Sequence, residues 1–260
     1  MIGAASTIDP GWLGLAASML LMVVVLVVAL CFGINMIKDG AVAAARATIQ
    51  LVAVGLLLGW IFARSHWWAI CLMLAVMTAV AGFTGGQKIN KVLKRTGPLI
   101  TLILACVTAL TLVYVTQFAV GVHRFTAQYF IPIGGIILGN AMTAAVLATT
   151  RYAEDLKEQR DKVEAALALG ASPAQATREM LRKAFTAAIT PTINAMLIVG
   201  IVKLPGIMTG TLLGGVAPLV AAKYQLVVLF MLIFGDGMTS LLVLAAVRRR
   251  VFTSAWQLRL

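Results

Sequence analysis

The chain has 260 residues, 61% of them hydrophobic and only 12% charged, and a formal net charge of +12 at pH 7. Soluble domains carry roughly 25% charged residues, so an ordinary soluble protein is excluded and a single membrane domain over residues 1–260 is expected. The positive balance does not call for nucleic acid, because loops on the inner side of a membrane collect Lys and Arg.

Residues 1–11 hold Asp9 and no Lys or Arg. A secretory signal needs a basic leading region, so the first apolar run is expected to stay as a membrane span. A spanning helix takes roughly 20 mostly apolar residues. Seven stretches qualify or nearly so: 12–34, 46–63, 67–84, 98–119, 131–150, 187–203 and 224–247. The predicted fold is therefore all-α, with about seven transmembrane helices. Cys31, Cys71 and Cys106 each fall inside an apolar run at no metal-binding spacing, and read as small packing residues.

With the N-terminus outside, 17 of the 21 Lys and Arg fall on the inner side, and only Arg64, Arg124, Lys203 and Lys223 on the outer. That asymmetry follows the positive-inside rule. It predicts a cytoplasmic C-terminus and a cytoplasmic loop over about 151–186, in the inner (plasma) membrane of the cell.

The fifth span reads Ile131-Pro132-Ile133-Gly134-Gly135-Ile136-Ile137-Leu138-Gly139-Asn140-Ala141-Met142. Gly135 and Gly139 are spaced for close helix packing. The Asn140 amide needs a partner within the bilayer, and is expected to face another helix or a cavity.

The loop that follows holds six of the nine acidic residues and the run Glu164-Ala165-Ala166-Leu167-Ala168-Leu169-Gly170. Good helix formers from Glu154 to Leu169 end at Gly170, which suits a left-handed C-terminal cap. Ser172-Pro173-Ala174-Gln175 then opens a second helix, with Ser172 as N-cap, Pro173 at the first helical position and Gln175 closing a capping box. The result is a rigid helical hairpin, either a docking element or a solvated hairpin with no partner.

After the sixth span, Leu204-Pro205-Gly206-Ile207-Met208-Thr209-Gly210-Thr211-Leu212-Leu213 is apolar but broken by Pro and Gly. Irregular backbone at membrane depth must be buried in protein or line water, so 204–215 is expected to be re-entrant or pore-lining. Asp236, in Gly235-Asp236-Gly237, is the one acid inside a predicted span. Such a carboxylate is costly and faces a cavity or a partner; a transport role and a structural hydrogen bond are both open to it. The twelve methionines read chiefly as packing. No Gly-x-x-x-x-Gly-Lys-Ser/Thr phosphate loop, catalytic triad or zinc signature is present, so no catalytic residue is predicted.

Together, the segments at 131–142, 164–173 (Glu-Ala-Ala-Leu-Ala-Leu-Gly-Ala-Ser-Pro) and 203–210 (Lys-Leu-Pro-Gly-Ile-Met-Thr-Gly) resemble the FetB (YbbM)-type permease family, in order and with compatible spacing. These are membrane subunits of bacterial ABC exporters implicated in iron efflux, with plant relatives linked to aluminium tolerance. The resemblance implies a separate ABC ATPase that carries ATP and Mg²⁺, no cofactor on this chain, a homodimer of permeases within membrane lipid, and a metal ion as substrate. It assigns Glu164, Ala165, Ala166 and Gly170 to ATPase coupling. It places Pro132, Gly139, Asn140, Met142, Leu204, Pro205, Gly206, Met208 and Gly210 on signature segments without giving them roles.

Asp236 belongs to no recognised pattern of that family. The candidate transport path combines it with Asn140, Met142, Asn194 and Met208; the metal and its ligands are left open. The competing readings are a secondary transporter or channel without an ATPase, and ABC export of a non-metal solute.

Overall fold

The computed structural model describes residues 11–64, 66–90, 96–121, 126–253 and 255–258. The segment with Asp9, and the basic residues Lys91, Lys94, Arg95, Arg124 and Arg259 of the charge argument, lie outside them. Ten α-helices follow in order: α1 Gly11–Cys31, α2 Ile37–Arg64, α3 Trp67–Asn90, α4 Gly97–Tyr114, α5 Ala127–Glu158, α6 Arg160–Ala168, α7 Pro173–Ala176, α8 Arg178–Ile198, α9 Gly206–Leu213 and α10 Pro218–Val251. A π-helical turn, Val115–Ala119, extends α4.

Six of these helices are long and apolar enough to cross a membrane: α1, α2, α3, α4 with its extension, α5 and α10. The predicted sixth span, 187–203, lies on α8 and the turn after it. Arg178, Glu179, Arg182 and Lys183 occupy the start of α8, leaving only residues 184–198 as apolar helix. That is about 22 Å at 1.5 Å per residue, short of a hydrocarbon core of roughly 30 Å. The second span also starts earlier than predicted, at Ile37: Asp39 suits the first turn, and the exposed Arg46 within the helix can snorkel to the interface.

The chain divides into two compact units. One runs to Ser65 and includes Leu213–Gly215; the other comprises His66–Leu212 and Val216 onward. Within the first, α1 is apolar on all sides and buries no residue against protein, as suits a span surrounded by lipid. A Cβ on Gly40 of α2 would come within 2.8 Å of the Leu26 side chain of α1.

The second unit packs α3, α4, α5, α8 and α10 around small residues. A Cβ on Gly86 of α3 would stand 2.9 Å from the Gly97 Cα of α4, and one on Gly82 would run into Thr101. Gly134 and Gly135 of α5 receive Leu74 and Met77 of α3 in the same way. Small residues at helix contacts are the usual means of close approach within lipid. Of the predicted Gly135/Gly139 pair, only Gly135 is used so; nothing lies within 4 Å of a Cβ on Gly139.

The core sits at the polar end of this unit. Ala141, Ala144, Ala145, Ala148, Tyr152 and Leu156 form one stripe of α5. They pack with Met180, Ala184 and Ala188 of α8 and with Val243, Leu244, Val247 and Val251 of α10. The helical repeat puts each set on one face.

Candidate functional site: a capped hairpin and a buried carboxylate

The polar loop is a hairpin continuous with its flanking helices. At 32 residues α5 is about 48 Å long, so it runs through the membrane thickness and on into the polar segment. It breaks at Gln159, whose φ of −110° and ψ of 28° leave the helical region. The predicted first helix is thus the end of α5 plus the short α6.

The joint after α6 is fully capped. Gly170 has φ +90°, the Ala171 N–H donates to the Ala166 carbonyl at 3.0 Å, and the Gly170 N–H donates to the Leu167 carbonyl at 3.0 Å. This pair of bonds is a Schellman motif, and a Cβ at Gly170 would pay the left-handed steric penalty. Two residues on, the Gln175 N–H donates to Ser172 Oγ at 3.3 Å, and the Ser172 N–H donates to Gln175 Oε1 at 2.9 Å. The predicted capping box is present.

On α6, Arg160 Nε donates to Glu164 Oε1 at 2.7 Å, and the Glu164 carboxylate holds the Arg160 guanidinium above its ordinary pKa. Ala165 is exposed and Ala166 half-buried, while Leu169 is 89% exposed. The result is a rigid knob that presents small and apolar side chains beside an ion pair.

Sequence reasoning missed its neighbour. Past α10, the backbone of Phe252 pairs with that of Leu258 in a short hook. A pocket of about 510 Å³ lies between Arg160, Glu164 and Leu167 of α6 and Ala255–Leu258 of the hook. Trp256 at its tip is half-exposed, with φ +61°.

The second element is Asp236, 2% exposed. Gly235 and Gly237 flank it. A Cβ on Gly235 would lie 3.5 Å from Ile137 of α5, and one on Gly237 would lie 3.4 Å from Ile189 of α8. Ile137 of α5 and Ile189 of α8 thus pack against α10 on either side of the carboxylate. Thr192 Oγ1 of α8 donates to Asp236 Oδ2 at 2.5 Å. Asp236 Oδ1 has no hydrogen-bond partner among the described residues. Thr192 was not singled out in the sequence; its one signal is a hydroxyl next to Pro191 inside an apolar run.

The other path candidates do not gather at Asp236. Asn140 is exposed, and its amide donates to the Ile136 carbonyl of its own helix at 2.9 Å; its partner is local rather than on another helix. Met142 packs at Gly85, whose Cβ would meet its Cγ at 3.0 Å. Asn194 is exposed on α8, two positions beyond Thr192. Met208 is half-buried on α9.

In the signature segments, Pro132 and Gly139 are exposed on α5. Leu204 is exposed before α9, Pro205 is half-buried, and Gly206 and Gly210 are exposed on α9. Residues 206–213 are thus a short helix where an irregular segment was expected. No group of three or more His, Cys, Asp or Glu side chains able to hold a metal occurs among the described residues.

Comparison with known proteins fits this picture. Residues 12–252 match the family described as "Uncharacterised protein family (UPF0014)". The rice protein UPF0014 membrane protein STAR2 is 38% identical, over 91% of this chain and 82% of its own length. The Synechocystis protein UPF0014 membrane protein slr1647 is 34% identical, over 87% and 88%. The Escherichia coli protein named "Probable iron export permease protein FetB" is 29% identical, over 94% and 93%. No solved structure matches the chain. With the family match spanning nearly its whole length and a multi-pass helical architecture, the chain is a member of the UPF0014 family of membrane proteins, which includes the FetB-type permease.

Proposed function

We propose that this chain is the membrane subunit of an ATP-driven ABC exporter in the plasma membrane, working as a homodimer with a separately encoded ATPase. The observation that carries the reading is the α6–α8 hairpin. A Schellman cap at Gly170 and a capping box at Ser172 make its joint stiff. Its exposed face presents Ala165 and Leu169, small and apolar side chains that a docked partner can cover. A stiff joint linked to α5 through Gln159 and to α8 through Thr177 passes a partner's push to both helices.

The charge asymmetry supports a cytoplasmic hairpin and an external N-terminus, with the short α8 and the turn after it taken as a seventh crossing. A metal ion as cargo, iron among the candidates, is supported by the printed name of the E. coli relative. Asp236 supplies a buried oxygen ligand near the transport path, suited to a hard cation that accompanies the cargo's movement.

The test is reconstitution of the full chain with the ATPase in vesicles. ATP should drive metal ions across the membrane, and the permease should raise ATP hydrolysis. Transport at the same rate without any ATPase would favour a secondary transporter or channel.

A further inference from the structure

The Asp236 neighbourhood contains more unused oxygen than a structural hydrogen bond needs. Thr239 and Ser240, three and four positions on, lie on the same face of α10 as Asp236. Both are fully buried, at 0% exposure. Their hydroxyls, like Asp236 Oδ1, have no hydrogen-bond partner among the described residues.

Most of the described helical threonine hydroxyls take the carbonyl four residues back, the buried Thr108 of α4 being one exception. Thr78 donates to Leu74, Thr111 to Val107, Thr149 to Ala145 and Thr190 to Thr186, all at 2.7–2.8 Å. Thr239 and Ser240 depart from that habit at the one place where α10 buries a carboxylate. On the facing helix, Thr192 turns its hydroxyl to Asp236. Pro191 beside it has no N–H, so the Ala187 carbonyl loses its helical donor. Polar atoms left unpaired in a low-dielectric interior cost free energy; the unpaired Asp236 Oδ1 and the Thr239 and Ser240 hydroxyls on one helix face, with the Thr192 hydroxyl already on Asp236, together offer a set of hard ligands.

We propose that Asp236, Thr239, Ser240 and Thr192 form a binding site for a hard monovalent cation of the sodium class, built across α8 and α10. The donor set is all oxygen, which suits hard cations rather than soft ones. Its net charge selects the valence. The carboxylate brings one negative charge, and no ion pair to Asp236 is present among the described residues. One monovalent ion therefore makes the buried site neutral, whereas a divalent ion would leave it charged.

Thr192 gives the site a connection to the hairpin. It lies 14 residues beyond Arg178 on α8, one position past Pro191, about 21 Å along the axis. A displacement of the hairpin carries the Thr192 hydroxyl toward or away from the other three donors. The site thus deepens the permease reading of the same carboxylate, and rests on it for its link to ATP.

The experiment uses the purified full chain in lipid nanodiscs without ATPase, with radiolabelled sodium as probe and choline keeping ionic strength constant. Saturable sodium binding is expected. Asp236→Asn should abolish it, and Ser240→Ala, which keeps the carboxylate, should weaken it about tenfold, the scale of losing a supporting group at an ion site. Sodium should also raise the melting temperature of the wild type and not that of Asp236→Asn. Absence of saturable binding by the wild type at neutral and mildly alkaline pH overturns the proposal, and so does binding retained in Asp236→Asn. If Asp236→Asn fails to fold, the wild-type isotherm and Ser240→Ala decide: unchanged affinity in Ser240→Ala overturns the site as assigned. Loss of ATPase stimulation is measured separately and bears only on the permease reading.

Discussion

Thr192 and Asp236, 44 residues apart in sequence, are joined by a 2.5 Å hydrogen bond that ties α8 to α10. The same α8 follows the capped hairpin in the chain and carries Thr192, so it links the proposed docking element to the partner of the buried carboxylate. Removing the bond leaves a buried carboxylate with neither oxygen satisfied. Thr192→Val should destabilise the protein by about 1–2 kcal/mol. Thermal unfolding in nanodiscs measures it, and a double-mutant cycle with Asp236→Asn should give less than the sum of the single effects. Additive effects would mean that the two side chains are not coupled.

The hairpin joint makes a separate prediction. Gly170 holds φ +90° with open space around its Cα, so a substitution there acts through the backbone and not through a clash. Gly170→Val should cost about 1 kcal/mol or more and reduce ATPase stimulation while the protein still inserts and elutes as a single species. Full stimulation by the variant would show that the joint does not transmit force.

Close packing of α3 on α4 is testable with a contrast of glycines. Gly86→Ala places a methyl group against the Gly97 backbone and should cost about 1–3 kcal/mol, the range for overpacking. Gly139→Ala meets nothing within 4 Å and should be neutral or slightly stabilising, since alanine is the better helix former. Melting temperatures that fall equally for both would contradict the packing described.

Much of the hairpin was legible in the sequence because its signals are local. Gly170 follows a run of helix formers, and Ser172 and Gln175 are three residues apart, so the cap chemistry is written within one turn. The Thr192–Asp236 pair was not legible, because a hydrogen bond across 44 residues leaves no periodic trace. The break at Gln159 lacks the Gly or Pro that usually marks one. The length of α8 misled for a related reason: residues 199–203 look apolar enough to extend a span. Gly200 at φ +85° turns the chain there instead, with its N–H donating to the Lys203 carbonyl at 3.0 Å.

Topology follows from whether α8 and the turn after it complete a crossing. With the three native cysteines replaced, single cysteines at Ala171 and Ile201, both accessible on the protein surface, should react with membrane-impermeant reagents from opposite sides. Ala171 should label only from the cytoplasm. Labelling of both from one side would reduce the membrane domain to six crossings.

Docking of an ATPase on the α6 surface is the central feature of the proposed permease. A photo-crosslinking amino acid at Ala165, in the intact complex in native membranes, tests this directly. Ala165 should give a covalent adduct with the ATPase subunit that shifts in yield with ATP, whereas the same probe at Phe230, on the apolar groove between α4 and α10, should give none. An ATPase adduct absent at Ala165 would contradict the central claim.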